Sequence, residues 1–159
     1  MSRERTLNGE AIVALLDHLH APVDVLRLDY DARLVRRKRL VTEAGRALML
    51  DLPELTDLSG YAGLGLAGGV EIALEAAPEP VLVVRGDLPR LAWHIGNRHT
   101  PCQMGGDHLV IRNDHVLRGM LDGLGAHVTT DRRPFHPEGG AYGHGRTMGH
   151  SMGHDHSHD

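Results

Sequence analysis

Two prolines within five residues, in the run Ala76-Ala77-Pro78-Glu79-Pro80, interrupt the chain where its apolar periodicity changes character. Proline lacks an amide donor and fixes φ, so neither a helix nor a central strand runs unbroken through such a pair. The chain is therefore read as separate parts, residues 24–76 and 77–137, flanked by an extension at 1–23 and a tail at 138–159. Its 159 residues suffice for one ordinary domain or two small ones with a real core.

The first part alternates with period two. Val25 to Tyr30, Ala47 to Leu52 and Val70 to Leu74 read as strands, punctuated by Pro53, Asp57, Gly60, Gly63, Gly65, Gly68 and Gly69. A small all-β domain is expected. The run YAGLGLAGG at 61–69 lacks the GK[ST] ending of a phosphate loop, and no helix follows it, so its glycines are read as loop and turn residues. Arg36-Arg37-Lys38-Arg39 is read as a solvated strand or turn face, with a docking surface for an acidic partner as the alternative. Ahead of these strands, Ile12, Leu15, Leu16 and Leu19 recur at i, i+3, i+4 and i+7 behind Asn8, which predicts a short amphipathic helix over 8–20.

The second part mixes periods. Strands are expected at 80–85, 102–104, 108–111 and 126–130, with helices at 88–97 and 114–124, the second opened by Asp114 as N-cap and closed by Gly125. The order βαββαβ is that of a ferredoxin-like domain, a small sheet with two helices on one face. The fold class is thus α+β: a small all-β domain, a ferredoxin-like domain, and a disordered His-rich tail.

That tail carries the compositional anomaly. Of 13 histidines, His144, His150, His154, His156 and His158 fall in the last 16 residues, among Gly, Met, Ser and Asp rather than in an uninterrupted run. Such a segment cannot build a core, and neutral imidazole suits divalent nickel, zinc and copper. A natural metal-binding tail is expected. Other chemistries are disfavoured. A formal charge of −4 and 3% aromatic residues argue against nucleic acid, and one cysteine excludes an internal disulfide framework or a CxxC zinc site. No apolar run approaches a membrane span, and Glu10 and Asp17 break the pattern of a secretory signal, so a cytoplasmic location is expected.

The remaining histidines are weighed singly. His94 and His99 are five apart and cannot share one helix face, so His94 is read as packed and hydrogen-bonded, while His99 falls just beyond the helix end. A lone exposed histidine makes a poor site, but a two-fold axis would bring two together. Asp114-His115 is read as a cap plus surface histidine, or as auxiliary metal ligands. His18, His20, His108, His127 and His136 show no constellation, and Cys102 reads as an inert, partly buried thiol. Neither HExxH nor GxSxG occurs, so an enzyme is not expected.

The run Trp93-His94-Ile95-Gly96-Asn97-Arg98-His99 resembles the HxGNRH signature of the UreE family of urease accessory nickel chaperones. The likeness continues through Gln103, Asp114-His115-Val116-Leu117, Met120-Leu121, Leu124-Gly125, Phe135-His136-Pro137-Glu138 and Gly140-Ala141-Tyr142, and upstream through LRLDYDARLVRRKRL and LMLDLPELTDL. The resemblance implies an N-terminal interaction domain and a ferredoxin-like domain forming a head-to-head homodimer. It further implies that His99 ligates nickel from each subunit, that Asp114 and His115 assist, and that nickel passes to a complex of the urease accessory GTPase and the urease apoprotein. Asn113 stands where some relatives carry another histidine, which shifts weight to the tail. Zn(II) or Cu(II) could also bind, and passive nickel or zinc storage through the tail is the rival function.

Overall fold

The computed structural model describes residues 9–139. The chain divides between Ala77 and Pro78 into two compact units.

The first unit is built of strands and short 3-10 turns. The strands are β1 (Glu10–Leu16), β2 (Asp24–Leu28), β3 (Leu34–Val41), β4 (Ala47–Asp57), β5 (Gly63–Leu66) and β6 (Glu71–Ala76). They assemble in the order β2-β6-β5-β1-β4-β3. Leu26, Leu28, Leu40, Leu48, Leu50, Leu64 and Ile72 form its core, as the period-two alternation requires. The all-β expectation holds for the described residues.

Two details differ from expectation. The segment expected as a helix is strand β1, paired antiparallel with β5 and, at its start, parallel with β4. The cause lies in a bulge between Ile12 and Ala14 that pushes Val13 into solvent at 64% exposure. The extra residue moves the inward-facing position from Ile12 to Leu15, both of which pack on the core, so a bulged strand imitates the i, i+3 spacing of a helix. Asn8, the expected cap, lies outside the described residues. Gly63 and Gly65, expected in a loop, instead lie in the fully buried strand β5. There the backbone runs too close to its neighbour for a side chain: a Cβ on Gly63 would lie 2.5 Å from the Ile72 carbonyl oxygen.

The second unit contains β7 (Glu79–Arg85), α1 (Leu88–Asn97), β8 (Gln103–Met104), β9 (Leu109–Arg112), α2 (His115–Gly123) and β10 (His127–Arg133). The sheet order β10-β7-β9-β8, with antiparallel neighbours, is the expected ferredoxin-like arrangement. Leu82, Val84, Leu109, Ile111 and Val128 pack with Leu91, Ile95, Leu117 and Leu121 from the two helices. The opposite sheet side carries Val81, Val83 and Val110, also buried, and Phe135 is buried as well. After β10 the chain passes from one sheet edge to the other, since the His136 amide donates to Gln103 Oε1 (2.9 Å) and the Glu138 amide to the Cys102 carbonyl (2.9 Å). Among the described residues no helix is long and apolar enough to cross a membrane.

Candidate metal centre

Helix α1 begins where the sequence says it should. Asp87 accepts from the Arg90 amide at 3.4 Å, Pro89 occupies the first turn, and Leu91 and Ile95 are buried. Its exit is less ordinary. The Thr100 amide donates back to the Ile95 carbonyl (3.4 Å) and the His99 amide to the Gly96 carbonyl (2.9 Å). These two bonds define a Schellman ending in which the residue just past the cap adopts the left-handed conformation, a place normally held by glycine. Here it is held by His99, with φ 55°, the one non-glycine residue of positive φ among those described. A left-handed L-residue costs about 1–2 kcal/mol. The backbone accepts that strain and thereby turns an exposed imidazole off the end of the helix.

Asp114 and His115 open the other helix. Asp114 Oδ1 accepts from the Val116 amide (2.9 Å) and the Leu117 amide (3.1 Å), which makes it the N-cap of α2, and His115 is the exposed first helical residue. Topology places this pair at the same end of the sheet as His99. Strand β8 is parallel to β7, so α1 must carry the chain back to the end where β7 begins. Strand β9 finishes at that end too, with Arg112 opposite Val81. The three residues nonetheless do not converge: no group of three or more His, Cys, Asp or Glu among the described residues could hold a metal ion. The tail residues His144, His150, His154, His156 and His158 lie outside the described residues.

Of the two remaining expectations near this end, Cys102 is partly buried as expected, while His94 is packed but has no side-chain hydrogen bond among the described residues. His94 is half-buried, its ring edge-on to Trp93 at 5.0 Å between centroids. Cys102 is half-buried, and burial, with help from the Glu138 carboxylate, pushes its thiol up to about 11. With no metal bound it stays protonated at neutral pH.

Two histidine pairings escaped the sequence reading. In the β8–β9 turn, His108 Nδ1 lies 2.6 Å from Asp107 Oδ1, and this hydrogen bond holds the Asp107 carboxyl below its ordinary range. At the first unit, Glu71 accepts from the Ala21 amide (2.7 Å) and the His20 amide (2.8 Å), which likewise lowers its pKa, and His20 Nδ1 lies 3.4 Å away. Glu71 is 50 and 51 residues from these partners, so no local spacing announces the pair. For Asp107-His108 the adjacency after Gly105-Gly106 was the available signal.

A family model described as the N-terminal domain of the UreE urease accessory protein matches residues 8–77, and one described as the C-terminal domain matches residues 79–159. The chain is 57% identical over 135 residues to a Rhodobacter capsulatus protein named urease accessory protein UreE, covering 85% of this chain and 86% of that one. Proteins of the same name from Paracoccus denitrificans (58% over 120 residues, 76% and 77% covered) and Ruegeria pomeroyi (50% over 129 residues, 80% and 87% covered) are also similar.

Proposed function

The chain belongs to the UreE urease accessory protein family, and from that premise we propose that it is a nickel-binding chaperone of urease maturation, accessory rather than catalytic. In this reading nickel is cargo. Two chains associate through their ferredoxin-like units, and the His99 imidazoles of both hold one ion between them. Nickel accepts imidazole nitrogen in square-planar or octahedral sets, so a pair of histidines leaves positions for further ligands. The cargo then passes to a complex containing the urease accessory GTPase and the urease apoprotein, in the cytoplasm.

The observation that carries this reading is the left-handed backbone at His99. Strain kept at an exposed position where glycine would relax it points to a use for the side chain. A second observation supports the tail as co-ligand. The Glu138 amide is tied to the carbonyl of Cys102, only three residues past His99. His144 lies six residues beyond Glu138, about 20 Å of extended chain, while three residues span at most about 11 Å. A tail starting there can bring His144, and beyond it His150, His154, His156 and His158, to the chain's own His99. Asp114 and His115 are auxiliary ligands at the same end of the sheet. Zn(II) or Cu(II) would compete, because imidazole does not discriminate strongly against them.

Ligation requires neutral imidazole, so affinity should fall as pH drops through about 6.5. Truncation after Tyr142 tests the division of labour. Nickel capacity should drop while the melting temperature and the dimer mass are retained; loss of the dimer would contradict it.

A further inference from the structure

Seven cationic side chains lie between Gly9 and Ala77, and they fall into two groups. Three are engaged. Arg27 Nε pairs with Glu75 at 3.0 Å, Arg46 with Glu10 at 3.3 Å, and the buried Arg33 lies over the Tyr30 ring at 5.7 Å. The other four are consecutive: Arg36, Arg37, Lys38 and Arg39 are all exposed, and none forms an ion pair among the described residues. Anions are not scarce, since the same stretch holds eleven carboxylates. Arg37 even stands opposite Asp51 in the ladder without pairing to it.

Strand β3 explains how they are displayed. It is the last strand in the sheet order. Lys38 lies opposite Leu50 and Leu40 opposite Leu48, so Lys38 shares the side on which those leucines are buried, while Arg37 and Arg39 take the other side. Arg36 sits at a register shift between Val35 and Arg37. The cations therefore project to both sides of a sheet border. One or two charges are enough to discourage edge-to-edge association. Four adjacent ones at about 3.3 Å per residue repel each other, a cost with no return inside the unit.

We propose that Arg36–Arg39 is a docking surface for a short, extended, acidic segment of another protein. Carboxylates alternating along such a segment would meet cations on both sides of the border. A long polyanion fits less well, because outside the patch carboxylates outnumber cations by eleven to three in this unit and would repel phosphates beyond it. The inference is independent of the metal site.

The test uses the full chain at about pH 8 with chelator present, which keeps the histidines neutral and metal out of the contact. A fluorescein-labelled peptide containing about six consecutive glutamates is the probe, read by anisotropy, with a lysine peptide and an oligothymidine of equal length as comparisons. The glutamate peptide should bind at low ionic strength and weaken roughly tenfold or more as salt rises to about 0.2 M. The double change Arg37→Glu with Arg39→Glu should weaken it at least as much while leaving nickel binding unchanged. Should that variant misfold, Arg37→Gln with Arg39→Gln should give a smaller loss in the same direction. Absence of binding at low salt, equal binding by folded variants, or oligothymidine binding as tight as the peptide would overturn the proposal.

Discussion

The two ends of the ferredoxin-like sheet treat histidine in opposite ways. At one end His108 is half-buried, bonded to Asp107, and packed so closely over Gly105 that a Cβ there would lie 2.6 Å from the imidazole Cε1. His127 sits in the same row, opposite Arg85, but is exposed, so the contrast is between His108 and His99. At the other end His99 is exposed, on a backbone conformation that disfavours it, with Asp114 and His115 beginning the neighbouring helix. The first arrangement is held by a side-chain hydrogen bond; the second sits on a backbone conformation that glycine adopts at less cost. A histidine count cannot distinguish these cases, but the backbone does.

Substitutions at the two ends should act in opposite directions. The largest effect should come from His99→Gly, which should remove the tight nickel site, a loss of about two orders of magnitude in affinity. The same change should raise stability by about 1 kcal/mol, because glycine relieves the left-handed strain. Calorimetric titration and denaturant unfolding together read both signs. A variant less stable than the parent would remove the strain argument. His108→Asn, by contrast, should leave nickel affinity within about twofold.

Asp114 separates capping from ligation. Asp114→Ala should cost about 1 kcal/mol by removing the acceptor for the Val116 and Leu117 amides, whereas Asp114→Asn should preserve stability to within a few tenths. If Asp114 is also a ligand, the Asn variant should weaken nickel binding without a change in unfolding midpoint; equal affinity would confine the residue to its cap.

The smallest effect concerns pH at the locked end. Because the His108 hydrogen bond holds the Asp107 pKa below its ordinary value, the stabilisation it brings is complete above the ordinary carboxylate range and lost as pH falls through the depressed value. Carboxyl carbon shifts measured by NMR should show Asp107 titrating below its ordinary value in the parent and closer to it in His108→Asn. An unchanged midpoint would mean that the pair does not form in solution.

Much of this architecture was legible in the sequence, for identifiable reasons. Helices α1 and α2 each carry an aspartate cap and a single apolar stripe, so little competes with the helical reading. Strand β1 failed because a bulge at Val13 reset the phase of its inward residues to three, the signature of the other element. Gly63 and Gly65 failed because close strand packing and turn formation both select glycine, and only the partner's carbonyl, 2.5 Å from a would-be Cβ at Gly63, tells them apart. At the site, the position of His99 just past α1 was readable, but its strain was not, since conformation is set by the two back-bonds to Ile95 and Gly96. The convergence of His99 with further ligands was expected to need a second chain and the tail, and the described residues of one chain form no three-ligand group.

The central claim is that a strained, exposed His99 is the shared anchor of a nickel site. Its most direct test is a calorimetric nickel titration of the full chain beside His99→Gly, with the mass of each species measured at every stage. The parent should bind one tight ion per two chains, and that ion should be lost in a variant that remains folded and dimeric. Tight binding of unchanged stoichiometry in His99→Gly would contradict it and leave the metal to the tail alone.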